Sequence, residues 1–157
     1  MGYDLYIRDS GDFDASYEGA YVYLRGWEYT ELAELLCRFG SGESCFGHEV
    51  EIPVHDIAFL VDVDEQVRDN PLFDYMEKLY ELSEMFYWEF LESLSVEVRS
   101  TLRMSYYMDG LNYRQRELLS WIAEHDDEEP YKVIHVLARG VQRMLDDGKD
   151  SVYVIGL

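Results

Sequence analysis

The chain has 157 residues, 48% of them apolar and 15% aromatic, with a formal net charge of −20. That length suits one domain, and the apolar share is enough for a real core and argues against disorder. A negative field of this size opposes direct binding to nucleic acid or to an anionic membrane, and favours cationic partners.

The charge is uneven. Residues 1–98 hold 23 acids against 5 bases, whereas residues 99–157 hold 10 against 8. No apolar run approaches the length of a membrane span, and the N-terminus has no signal-peptide pattern. With just two cysteines, Cys37 and Cys45, the expected setting is cytoplasmic and reduced, with Cys37 a buried thiol. The alternative is a disulfide across the turn at Gly40–Gly42, since a lone pair sets no framework.

In chain order, Tyr3–Arg8 alternates, with Leu5 and Ile7 on one side, and is expected to be a strand. Asp9–Gly19 is a polar, glycine-punctuated connection, and Ala20–Arg25 is a second strand, so the chain opens on a hairpin with a long loop. Thr30–Phe39 follows as a short helix, with Thr30 as its N-cap and Gly40 as its C-terminal stop. Glu49–Val54 alternates again, and Pro53 marks an edge strand or a strand end. Ile57–Val63 is apolar and fits either strand or helix. Asn70–Pro71 is a helix-start signal, with proline at the first helical position.

Leu72–Ser95 is the most informative stretch. Stepped at about 100° per residue, its apolar residues cover more than half of a helical cylinder, which predicts a long central helix at the heart of the core. The remaining arc carries Asp74, Glu77, Glu81, Glu84, Glu89 and Glu92, with Met85 and Trp88 among them. On a continuous helix these carboxylates would span about 27 Å at ~1.5 Å per residue. That is one per roughly 5 Å, against one phosphate per about 3.4 Å along a DNA strand. Neighbouring like charges oppose such a helix by ~0.2–0.5 kcal/mol per pair.

After Ser95 the periodicity fits strand or helix, and helix is favoured. Asn112 and Gln115 have capping-box spacing and start a helix to about His125. Pro130 opens the last helix, which ends before Gly148, and Ser151–Ile155 closes the chain as a strand. The expected fold is α+β: one acidic domain over residues 1–157, with an N-terminal hairpin and further short strands packed on four or five helices.

Chemical motifs are sparse. His55 and Asp56, with Asp62 and Asp64, form a candidate metal or acid–base cluster. Asp9, Asp12, Asp14 and Glu18 suggest a calcium loop but lack its order and its bidentate glutamate. His135, placed among helix residues, is expected to be structural. No cofactor, metal site or catalytic residue is expected. The leading expectation is an interaction protein or inhibitor that occupies a basic, nucleic-acid-binding surface of another protein. Asp74, Glu77, Glu81, Glu84, Glu89 and Glu92 would steer the partner, with Met85 and Trp88 as anchors. In charge and size the chain resembles small acidic inhibitors carried by phages and mobile elements, including DNA-mimicking anti-restriction and anti-CRISPR proteins. The alternatives are an acid-rich, halophile-like domain and a small metal-dependent enzyme at the His55 cluster. A homodimer through strand edges or Trp88 also fits.

Overall fold

A computed structural model describes residues 4–11, 19–40, 49–96, 98–99, 107–125 and 132–156. Strands β1 (Asp4–Arg8), β2 (Ala20–Arg25), β3 (Val50–Pro53) and β4 (Ser151–Gly156) form an antiparallel sheet in the order β2-β1-β4-β3. The helices are α1 (Thr30–Cys37), the single turn α2 (Val54–Ile57), α3 (Phe59–Asp69), α4 (Pro71–Ser83), α5 (Tyr87–Ser93), α6 (Tyr113–His125) and α7 (Lys132–Asp146). The fold is α+β. By internal packing the chain divides into two units, residues 1–61 with 136–157, and residues 62–135.

In the first unit the period-2 pattern sets the sheet register. Leu5 faces Leu24, Ile7 faces Val22 and Val154, Val50 faces Val154, and Ile52 faces Val152. All of these side chains are buried, so one sheet face belongs to the core. Each contributes about 1.5–3 kcal/mol if its burial is complete. On the other face Tyr6 lies opposite Tyr23, with ring centroids 4.9 Å apart, and the Arg8 guanidinium sits 5.0 Å from the Tyr6 ring. Pro53 ends β3, an edge strand, where its missing N–H costs little.

Two helix ends in this unit differ from their sequence signals. Thr30 is the first residue of α1 rather than its cap. A 3-10 turn at Trp27–Tyr29 leads in, Tyr29 N donates to Gly26 O at 3.3 Å, and no side chain caps the helix. Gly40 has no positive φ. It is small because its backbone lies against β3, where a Cβ would come 2.4 Å from the Glu51 carbonyl oxygen. Cys37, fully buried at the end of α1, is disulfide-bonded and not the thiol expected. The chain's other cysteine is Cys45. Sulfur chemistry therefore gives no support to a reduced compartment.

Helix α7 stops where the sequence marks it. Gly148 has φ 69°, its N–H donates to Leu145 O, and Lys149 N donates to Met144 O at 2.9 Å. These are the two bonds of a Schellman ending. Inside α7, Gly140 meets β2 so closely that a Cβ would lie 2.2 Å from Val22 Cγ2.

The second unit is helical. Asn70 Oδ1 accepts from Leu72 N at 3.0 Å and Pro71 opens α4, as the dipeptide signals. Asn70 Nδ2 also reaches the hydroxyl of buried Tyr107, 3.4 Å away. Helix α6 begins with the expected reciprocal box: Gln115 N donates to Asn112 Oδ1 at 2.9 Å, and Asn112 N donates to Gln115 Oε1 at 3.0 Å. Leu118, Leu119, Trp121 and Ile122 are its buried side. After α5 a helical turn starts at Ser95, with Arg99 N donating to Ser95 O at 3.0 Å, while residues 100–106 lie outside the described residues. Pro130 lies outside them too.

The long central helix is two helices. Glu84 adopts φ 56° and ψ 17°, the left-handed region, and α5 restarts at Tyr87 after an extended Phe86. Ser83 makes the stop: its Oγ donates to Tyr80 O at 2.7 Å and accepts from Met85 N at 3.3 Å. A serine hydroxyl that bonds local backbone in this way competes with helix continuation.

The close approach of α7 to β2 gives a signed test. At an open helical site Gly→Ala stabilises by about 0.5–1 kcal/mol. Gly140→Ala is expected instead to destabilise by about 1–3 kcal/mol through overpacking against Val22, measured by urea unfolding. Pairing it with Val22→Ala should recover part of that loss.

Candidate interaction surface

The residues singled out by sequence fall on three successive segments. Asp74, Glu77 and Glu81 lie on α4, Glu84 and Met85 lie in the break, and Trp88, Glu89 and Glu92 lie on α5. The carboxylates therefore do not follow one helix axis, and the even spacing calculated for a continuous helix is not realised. Asp74, Glu81, Glu84, Glu89 and Glu92 are exposed, and Glu77 is partly covered. Lys78, the one base between Leu72 and Ser95, is bonded to Asp74 at 3.1 Å, with both side chains in solvent. Such a pair is worth ~0–1 kcal/mol. The Trp88 side chain lies outside what the structure describes.

The apolar side of this stretch joins the core only in part. On α4 only Phe73 and Met76 are buried, and on α5 Phe90 is buried with its ring 5.5 Å from that of Tyr80. Leu82 is 79% exposed, Phe86 68%, Tyr75 58% and Met85 45%. Periodicity predicted a buried face here. What it could not show is that Leu82 stays exposed in the last turn of α4 while Tyr80 packs on Phe90, and that Phe86 in the break is exposed as well. Large exposed apolar residues beside carboxylates are the informative kind of exposure.

The residues of the candidate metal or acid–base cluster each have their own surroundings. His55 Nε2 lies 3.0 Å from its neighbour Asp56, with the histidine 81% exposed. Asp62 is exposed. Asp64 is engaged elsewhere: its carboxylate lies 3.1 Å from His135 Nδ1 and 3.2 Å from Arg68 Nε. Arg68 Nε is also 2.9 Å from His135 Nδ1. Asp64, Arg68 and His135 form a polar cluster within residues 62–135, joining α3 to the start of α7. The Arg68–Asp64 half was visible as an i,i+4 pair. The His135 half joins residues 71 apart and left no local signal. Among the described residues no group of three His, Cys, Asp or Glu side chains could hold a metal ion.

Of the suggested calcium loop, Asp12, Asp14 and Glu18 lie outside the described residues. Asp9 is used structurally, 3.9 Å from Lys149 Nζ and 3.2 Å from the Tyr21 hydroxyl. That hydroxyl donates a short hydrogen bond to Asp147. The bond to Asp147, then desolvation and the nearby Asp9, push Tyr21 up to about 12. Among the described residues no helix is long and apolar enough to cross a membrane. Comparison with protein families, with curated proteins and with solved structures gives no match.

The Tyr21 cluster makes a pH prediction whose sign is fixed. A folded pKa above the ordinary value of 10 means that the contribution is complete below pH 10 and is lost as the pH rises towards 12. The stability difference between the wild type and Tyr21→Phe should shrink over that interval, as followed by denaturant unfolding at stepped pH. A difference that stayed constant would separate the tyrosine proton from stability.

Proposed function

We propose that this chain is an acidic interaction protein that occupies a basic surface of a nucleic-acid-handling protein, acting as an inhibitor in the manner of a DNA mimic. The observation that carries this reading is the combination on α4, the break and α5: exposed carboxylates and exposed large apolar side chains on the same short segment. Charge alone steers encounter and sets salt dependence, whereas affinity needs a desolvated contact. Both ingredients are present here. The break does not weaken the proposal, because a protein surface that binds phosphates accepts anions at several spacings. It does remove the regular phosphate-like ladder, so the mimicry is of charge and not of helical repeat.

The reading is tested by charge reversal. Affinity capture is expected to recover a basic, nucleic-acid-handling protein, in a complex that weakens as salt rises. The triple variant Glu77→Lys, Glu81→Lys, Glu84→Lys should bind that partner at least about tenfold more weakly, with the slower association expected for lost steering. Its circular dichroism should match the wild type, and Glu81→Lys, Glu84→Lys, both at exposed positions, should weaken binding in the same direction without touching the partly covered Glu77. Unchanged affinity in the triple variant would remove α4 and the break from the interface.

A further inference from the structure

We propose that Tyr75, Leu82, Met85 and Phe86 are the anchor of the interface, and that the element they receive is a basic amphipathic helix of the partner protein. The inference rests on the acidic-interaction reading above and specifies its contact. Tyr75 and Leu82 are seven residues apart, two turns of α4, and so share one side of that helix. Met85 and Phe86 continue the apolar run through the break, where the left-handed Glu84 ends the helix. All four are exposed to between 45% and 79%.

Charge complementarity selects the occupant. Glu81, Glu84 and Glu89, all exposed, interleave with the anchors in sequence, and Lys78, the one base in the sequence between Leu72 and Ser95, is paired with Asp74. A partner segment must therefore offer apolar groups to the anchors and Lys or Arg to their rim. Helical grooves and ridges meet through residues at i, i+3, i+4 and i+7, the spacing that Tyr75 and Leu82 present. A second copy of the chain would bring the same carboxylates face to face, and an anionic bilayer would be repelled.

The full chain is titrated by calorimetry with two probes, a synthetic Leu/Lys amphipathic helix and an oligolysine of the same length. The helix is expected to bind at least tenfold more tightly than oligolysine. In the Leu82→Ser, Phe86→Ser variant that advantage should disappear, with oligolysine binding unchanged. Since both side chains are solvent-exposed, the variant should keep the wild-type circular dichroism; Tyr75→Ser, Met85→Ser supplies an independent pair with the same expected loss. Equal binding of the two probes by the wild type, or an undiminished preference in both paired variants, would overturn the anchor. The acidic reading is scored separately by the charge-reversal variant, which should weaken both probes; if it weakens neither, that reading falls as well. Concentration-dependent dimerisation abolished by Leu82→Ser, Phe86→Ser in analytical ultracentrifugation would overturn the proposal by assigning the surface to a second copy.

Discussion

The pairing of β1 with β4 is the constraint on which the sheet depends. These strands come from opposite ends of the chain and lie side by side at the sheet centre, with Leu5 facing Gly156 and Ile7 facing Val154. β3 pairs with β4 alone, so without β4 it has no place in the sheet. Closing so long a loop costs little more entropy than closing a moderate one, because the cost grows with the logarithm of length. The kinetic consequence is larger: a sheet held by its most distant strands has high contact order and must wait for both ends. The Schellman ending of α7 serves that arrangement, since it turns the chain at Gly148 so that Asp150 O can accept from Val54 N and β4 can start at Ser151.

In the helical unit the comparable event is the break at Ser83–Phe86. A non-glycine residue in the left-handed region costs roughly 1–2 kcal/mol. The two Ser83 bonds, each worth about 0.5–1.5 kcal/mol, offset that cost. Electrostatics also favours the interruption. A continuous helix would hold Glu81 and Glu84 as i,i+3 neighbours in mutual repulsion, a cost of ~0.2–0.5 kcal/mol that helical φ and ψ at Glu84 would impose. The result is a stretch whose composition suits a buried helix but whose second half of α4 leaves Leu82 in water.

These two features also explain what was legible in the sequence and what was not. Local chemistry was legible. Asn70–Pro71, the Asn112–Gln115 box, Gly148 and the alternating strands each act within a few residues, and each was found where its pattern stood. Pro53 was correctly an edge residue for the same reason. The break was not legible, because the apolar period runs through it and it contains neither glycine nor proline; Ser83 and Glu84 are ordinary residues inside helices. Burial of the apolar face was not legible either, since periodicity reports that a face could be covered and not that a neighbour exists. Thr30 misled because a 3-10 turn did the work of a cap. The Asp64–His135 contact depends on residues brought together by the fold, and sequence adjacency had pointed to His55 and Asp56 instead. The bonded state of Cys37 was legible only as the alternative to a free thiol, because a lone pair of cysteines sets no framework.

The exposed apolar residues bear on why the chain is acidic at all. A surface under selection for solubility alone, as in a salt-adapted domain, gains from carboxylates but gains nothing from a leucine and a phenylalanine left in solvent. Each such side chain forfeits the transfer free energy that burial would return, about 1.5–3 kcal/mol for complete burial. Keeping them outside while the fold buries Phe73, Met76 and Phe90 on the same segment is explained if their burial happens elsewhere, on a partner. Carboxylates around such a site then have two roles. On the proposed function they would keep the exposed apolar residues soluble and self-repelling when unoccupied, and would restrict their occupant to cationic surfaces. The acidity and the apolar exposure thus have a common explanation in the interaction proposed for this segment.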